Sequence, residues 1–87
     1  MKIIFTTRFR RSYKRLVFKN ATIKKIVDER CVLFSMDPKN LLLKDHALGG
    51  KLAPYRAFSI GYDLRVIYRQ EKHECIFFDI GTHDIYK

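Results

Sequence analysis

The spacing of apolar residues changes once along the chain, from a helical period to a strand period. Up to about residue 37, apolar side chains recur every three or four positions, as in helices that bury one face. Beyond Pro54 they alternate with polar residues, as in strands that have one buried face. This order predicts an α+β domain whose helices precede most of its sheet.

The first half predicts a strand at residues 2–5 and two helices that form an antiparallel hairpin. Thr6 or Thr7 is a suitable N-cap for the first helix. Its apolar face carries Phe9, Tyr13, Leu16 and Val17. After an interruption at residues 20–22, Thr22 can cap the second helix, which ends near Pro38. Its apolar stripe contains Ile23, Ile26, Val27, Cys31 and Phe34.

The second half predicts three antiparallel strands, at residues 55–60, 64–69 and 74–80. One face of this sheet is expected to pack on the helices, through Leu64, Val66, Tyr68, Ile76, Phe78 and Ile80. The other face would carry Asp63, Arg65, Ile67 and Asp79. Charged residues there suggest a face that is open to a ligand, although Asp79 could instead pair with Arg65 across the strands.

The segment between the helices and the meander is predicted to be a loop. Gly49-Gly50 and Pro54 argue against regular structure there. Three leucines are expected to anchor this loop to the core: Leu41, Leu43 and Leu48.

The length of 87 residues predicts a single domain over residues 1–87. No apolar run approaches the roughly 20 residues that span a bilayer, and no signal peptide follows Met1, so we expect a cytoplasmic protein without a membrane partner. Cys31 and Cys75 are expected to be free thiols rather than a disulfide. Because the Cys and His residues lack the usual ligand spacing, we predict no metal and no cofactor.

Positive charge is concentrated in the first third of the chain. The chain has 18 basic and 9 acidic residues, and residues 1–30 contain ten of the basic and two of the acidic ones. Such a surface attracts a polyanion, for example RNA, DNA or an acidic protein, or it is a solvated face that keeps the protein soluble. We predict that Arg10, Arg11 and Lys14 contact RNA.

The second half contains residues that are suited to cutting a phosphodiester. His46, Asp63 and His83 can move or orient protons, and Arg65 can stabilise charge on phosphorus. Tyr86 could stack on a base. His73, in a predicted turn, is taken as structural.

Four motifs in this half occur in the order and spacing of a known family. They are Lys44-Asp45-His46-Ala47-Leu48-x-Gly50, Tyr55-Arg56, Asp63-Leu64-Arg65-Val66-Ile67-Tyr68 and Ile80-Gly81-Thr82-His83-Asp84-Ile85-Tyr86. Together they resemble the RelE/ParE superfamily of bacterial toxins, and most closely its YafQ-like branch. The resemblance implies a RelE-like fold, with an N-terminal strand and an antiparallel helical hairpin on a three- to four-stranded, mainly antiparallel sheet.

The resemblance also implies a function. Such a toxin is paired with a cognate antitoxin, enters the ribosomal A site and cleaves mRNA without a metal, by attack of the RNA's own 2′-OH group. His46, Asp63 and His83 match the family's functional positions, and Arg65 matches a phosphate-binding arginine. Arg56 stands where the RelE branch has a lysine. Two positions depart from the pattern: Ser59 replaces a histidine, and Tyr86 follows His83 at a shorter distance than the family's terminal aromatic residue.

These roles predict His46 as general base and His83 as general acid, with Asp63 orienting a histidine and Arg65 binding the nonbridging oxygens. Lys44 and Arg56 are predicted to bind RNA. Three function classes stay open: a ribosome-dependent endoribonuclease, a non-enzymatic gyrase poison of the ParE type, and an inactive nucleic-acid-binding homologue. The histidine pair favours the first class.

Overall fold

The protein has two helices packed on a five-stranded sheet, in a computed structural model that describes residues 2–82. In chain order the elements are β1 (Lys2–Phe5), α1 (Thr7–Val17), α2 (Ala21–Met36), β2 (His46–Ala47), β3 (Arg56–Gly61), β4 (Leu64–Gln70) and β5 (Glu74–Gly81). The predicted α+β class, N-terminal strand and helical hairpin are confirmed, and the sheet has five strands rather than the expected three or four. Neither of the helices in this part of the chain is long and apolar enough to cross a membrane.

The sheet order is β1-β5-β4-β3-β2, so the first strand lies beside the last one. β1 is parallel to β5, and the other neighbours are antiparallel. The three meander strands lie within one residue of their predicted bounds. β2 was not predicted, because two residues are too few to show an alternating pattern.

The helix caps connect the hairpin to the sheet. The Thr6 hydroxyl accepts a hydrogen bond from the Phe9 amide at 3.0 Å and donates one to the Phe78 carbonyl at 2.7 Å.

The prediction of Thr22 as the second cap is wrong. The side chain of Asn20 accepts from the Ile23 amide at 3.1 Å, so α2 begins at Ala21 and Thr22 lies in its first turn.

A bulge in β5 changes which residues face the helices. The register passes from Ile67 opposite Asp79 to Tyr68 opposite Phe77, so that Phe78 has no partner on β4. Cys75, Phe77 and Ile80 are therefore the β5 residues in the core. The prediction that Ile76 and Phe78 face the helices is wrong, because strict alternation cannot anticipate an extra residue.

The core is centred on Phe34 of α2. Its ring stacks on Phe58 at 4.6 Å and meets Tyr68 and Phe77 edge-on, at 4.8 and 5.5 Å. These contacts fix α2 across three adjacent strands. Leu43 is also fully buried, as predicted, whereas Leu41 is 91% exposed and does not anchor the loop.

Replacing Phe34 by Ala should lower the free energy of unfolding by about 3–5 kcal/mol, because it opens a cavity among the three aromatic rings that Phe34 contacts. Urea denaturation followed by circular dichroism would measure the change. Phe18→Ala is the matched control, since Phe18 is 72% exposed, and it should cost less than about 0.5 kcal/mol. Equal losses in the two variants would contradict the central position of Phe34.

Candidate active site

His46 lies on the outermost strand β2, opposite Ala57 of β3, and its side chain is exposed. Its ring Nδ1 is 3.0 Å from the carbonyl oxygen of Lys44. Lys44 adopts a left-handed conformation with φ 49°, which turns the chain just before β2. Because a carbonyl oxygen can only accept, this contact assigns the proton to Nδ1 and leaves Nε2 as the acceptor of the neutral ring.

The residue before His46 is held by two side chains of the sheet. The Asp45 carboxylate accepts hydrogen bonds from the Tyr68 hydroxyl and, at 3.0 Å, from Arg56 Nε. Burial, together with the bond to Asp45, raises the pKa of Tyr68, so its hydroxyl remains a proton donor. We call Asp45, Arg56 and Tyr68 the Asp45 clamp; it fixes the start of β2 against β3 and β4.

Arg56, which is predicted to bind RNA, is also part of the clamp. Its Nε pairs with Asp45, while the side chain stays 43% exposed. Arg56 and Lys44 both line a cavity of about 280 Å³. Sequence reasoning missed Asp45 and Tyr68, although both lie in the motifs quoted above; an acidic residue directly before a candidate catalytic histidine is the signal that could have found the first of them.

Asp63 and Arg65 lie at the tight turn between β3 and β4. Tyr62 and Asp63 have φ values of 52° and 61°, as in the type I′ turn that suits a two-residue hairpin. The Asp63 carboxylate accepts a hydrogen bond from Arg65 Nη2 at 3.2 Å. Asp63 thus orients an arginine rather than one of the described histidines.

The sheet places His46 and Arg65 on the same face. Arg65 is opposite Ser59, and Ser59 is two residues from Ala57, the partner of His46. Both side chains therefore project from the face opposite the helices. Strand spacings of about 4.8 Å and a rise of about 3.4 Å per residue put their Cα atoms about 12 Å apart. Two long side chains can converge on one phosphate across that distance.

His83 and Tyr86 lie outside the described residues. β5 ends at Gly81, which is opposite Arg65.

Asp79 has a structural role instead of a place on an open face. It is 4% exposed and accepts hydrogen bonds from Arg8 Nε at 2.9 Å and from the Ser12 hydroxyl at 2.6 Å. The interpretation of Asp79 as the partner of Arg65 is wrong, because its ion pair joins β5 to α1.

The three α1 residues that are predicted to contact RNA do not all line the same cavity. Arg10 and Lys14 line a cavity of about 430 Å³ between the helices, and Arg11 is not among its lining residues.

Both cysteines are free, as predicted. Burial raises the pKa of each thiol to about 12. Within residues 2–82, no group of three or more His, Cys, Asp or Glu side chains is placed to hold a metal ion.

Comparison with known proteins now identifies the family. The family model described as the bacterial toxin of type II toxin–antitoxin systems, YafQ, matches residues 1–86. This chain belongs to the YafQ family. It is therefore a toxin of a type II toxin–antitoxin system. Among curated proteins, no sequence matches the chain.

Solved structures of YafQ and related toxins share the fold. A copper-bound mutant toxin from Helicobacter pylori is 23% identical with a TM-score of 0.83, covering 100% of this chain and 99% of its own. YafQ from Escherichia coli is 21% identical with a TM-score of 0.80, covering 98% and 96%. The E. coli DinJ-YafQ toxin–antitoxin complex gives 22% identity and a TM-score of 0.77, covering 97% and 93%.

Replacing Tyr68 by Phe should release the loop that leads to His46 while keeping the ring in the core. The Asp45 carboxylate, 17% exposed, would lose a donor, at a cost of about 1–3 kcal/mol in the free energy of unfolding. Nitrogen NMR of the His46 ring should change from a single Nδ1–H tautomer to a mixture. Tyr62→Phe, at an exposed tyrosine, is the control and should change neither quantity. An unaltered His46 ring signal in Tyr68→Phe would contradict the clamp.

Proposed function

We propose that this toxin is a ribosome-dependent, metal-independent endoribonuclease that cleaves mRNA through attack of a 2′-OH group on the adjacent phosphate. The observation that carries the proposal is that His46, whose Nδ1 lies 3.0 Å from the Lys44 carbonyl oxygen, shares one sheet face with Arg65, which is bonded to Asp63. The reaction needs a base for the 2′-OH proton, positive charge for the phosphorane and an acid for the departing 5′-oxygen.

His46 is the general base of this proposal. Its Nδ1–H bond to the Lys44 carbonyl leaves an exposed Nε2 that can take the proton of the 2′-OH group. After the transfer, the same carbonyl stabilises the imidazolium ion by accepting from Nδ1. A loop held by the Asp45 clamp keeps Nε2 in one place, and such positioning is itself a source of rate.

Arg65 supplies the positive charge. Its bond to Asp63 orients the guanidinium group near the start of β4, where its N–H groups can bind the nonbridging oxygens. Asp63 thereby contributes through Arg65.

His83 as general acid and Tyr86 as a base-stacking residue complete the proposal. Both roles come from the family resemblance and from the chemistry of the side chains. His83 follows Gly81, the residue opposite Arg65, by two positions in the sequence.

Substrate delivery uses the basic surface. Arg10, Arg11 and Lys14 are proposed to contact ribosomal RNA, and Lys44 and Arg56 to contact the mRNA beside the active site. Such a reaction takes place in the cytoplasm, where a cognate antitoxin must keep the toxin silent. A complex of this kind is known for E. coli YafQ with DinJ.

Replacing His46 or His83 by Ala should reduce cleavage of ribosome-bound mRNA about 10²–10⁴-fold, the usual contribution of one positioned proton-transfer group. Arg65→Lys should remain impaired, because an ammonium cannot reproduce the bidentate grip. Stripping the toxin with EDTA, before it is added to ribosomes in Mg²⁺ buffer, should change nothing. His73→Ala, at an exposed turn histidine, is the control and should cleave normally. If the folded His46→Ala, His83→Ala double variant still cleaves mRNA at the wild-type rate, histidine catalysis is excluded.

Replacing Arg10, Arg11 and Lys14 together by Glu should weaken sedimentation with ribosomes and flatten its dependence on salt. The plot of log K against log[salt] has a negative slope, and loss of three phosphate contacts should reduce its magnitude by about 2–3. Lys51→Glu, Lys72→Glu, at exposed lysines in the loop before β3 and the turn before β5, serves as the comparison and should have a smaller effect per charge reversed. Equal effects per charge would mean that net charge alone, rather than α1, governs docking.

A further inference from the structure

Two aromatic rings meet on the sheet face opposite the helices, beside the pair of His46 and Arg65. They belong to Tyr55, which directly precedes β3, and to Phe78, the bulged residue of β5, and their centroids are 5.3 Å apart. Because β4 lies between β3 and β5, the rings meet above β4. There Ile67 is only 2% exposed, although it points away from the helices.

An arginine lies over each of the two rings. The Arg8 guanidinium carbon is 5.1 Å from the centroid of Phe78, and that of Arg69 is 5.7 Å from the centroid of Tyr55. Arg8 is bonded through Nε to Asp79, so it supports the Phe78 ring from a fixed position. We call Tyr55, Arg69 and Phe78 the sheet-face platform.

Arg69 has hydrogen-bond donors beyond those that the protein uses. Its Nη2 pairs with Glu71 at 2.6 Å, and its buried Nε has no hydrogen-bond partner within residues 2–82. A guanidinium group carries five N–H donors, so the ion pair with Glu71 leaves several of them. The side chain is 40% exposed, and an anion can therefore reach the terminal nitrogens.

The sheet-face platform lies one sheet period from the candidate site. Tyr55 precedes Ala57, the partner of His46, by two residues. Strand spacings of about 4.8 Å and a rise of about 3.4 Å per residue put the Cα atoms of Tyr55 and His46 about 8 Å apart. On β4, Arg69 follows Arg65 on the same face at about 14 Å. The platform therefore lies beside the phosphate that His46 and Arg65 are proposed to hold, at the place of a neighbouring nucleotide.

The shape and chemistry of the platform suit a nucleobase. Tyr55 and Phe78 are half-buried groups on an open face, and they line neither of the two cavities described above. An inserted peptide side chain needs a pocket, whereas a base needs a flat surface. Unpaired bases stack on aromatic rings and on guanidinium planes, and aromatic residues on an exposed sheet face are a recurrent RNA-binding surface.

We propose that the sheet-face platform binds one nucleotide of the single-stranded mRNA next to the cleaved phosphate. Its base stacks on Tyr55 and Phe78, and Arg69 binds a phosphate oxygen of the same strand. The inference rests on the proposed function in taking mRNA as the ligand, and it adds a second stacking position to that of Tyr86. Because every base has a π-face, the platform contributes affinity without selecting a base.

Two RNAs of equal charge test the stacking. One is a single-stranded RNA 12-mer, and the other is an abasic 12-mer that has the same ribose phosphates without bases; anisotropy gives both dissociation constants. The preference for the first RNA should fall at least about fivefold in Phe78→Leu, the lower end of what one stacked base contributes. Phe18→Leu, at the 72% exposed ring after α1, is the control and should keep the wild-type preference. An unchanged preference in folded Phe78→Leu would overturn the proposal.

Arg69→Gln tests the phosphate contact separately. It should weaken binding of both 12-mers by the same factor, because both contain the phosphates. The magnitude of the slope of log K against log[salt] should fall by about 1. A slope equal to that of the wild-type toxin would show that Arg69 binds no phosphate.

Proton NMR of the unmodified toxin provides a measurement that does not depend on the folding of a variant. The ring signals of Tyr55 and Phe78 should shift when the RNA 12-mer is added, and much less with the abasic 12-mer, because a stacked base adds its own ring current. Equal shifts with both RNAs, or none with either, would overturn the proposal. Neither measurement depends on cleavage, so a toxin that stacks RNA but cleaves no mRNA would refute the proposed function and leave the platform standing.

Discussion

The placement of His46 depends on the two roles of one residue, Tyr68. Its ring packs against Phe34 and Phe77 in the core, while its hydroxyl binds Asp45 in the loop that leads to β2. A two-residue edge strand has too few backbone hydrogen bonds to hold itself in register. The clamp supplies what the strand lacks, and the geometry of the candidate base therefore derives from the packing of the core. Core substitutions near Phe34 should be judged by their effect on the loop as well as on stability.

The helical layer depends on a similar connection through Asp79. The bulge at Phe78 lets Asp79 remain buried, where it accepts from Arg8 and Ser12 of α1. A carboxylate is costly to bury unless it is paired, and this one has three donors including the Ile80 amide. One of the basic residues of α1 is therefore structural. Arg10, Arg11 and Lys14 remain the α1 residues that we propose contact RNA.

The features that the sequence predicted depend on residues close together in the chain, whereas the features that it missed join residues far apart. The positions of both helices and of every strand but β2 follow from the spacing of neighbouring apolar residues, and they were predicted to within about two residues. The bulge, the Arg8–Asp79 pair and the Asp45 clamp join residues that are distant in sequence, and no local pattern contains them. His46, Asp63 and Arg65 were found through motif resemblance and side-chain chemistry. The contact of Asp63 with Arg65 required the turn geometry.

The two edges of the sheet are both short, and short edges resist unwanted pairing between chains. In this toxin each edge also lies next to a cavity. Beside β2 are the exposed His46 and the polar cavity of Lys44 and Arg56, where we propose that RNA binds. Beside β1 is a cavity with an aromatic floor and a cationic rim. Because about four strand spacings separate the two cavities, a ligand in one of them does not have to displace a ligand from the other.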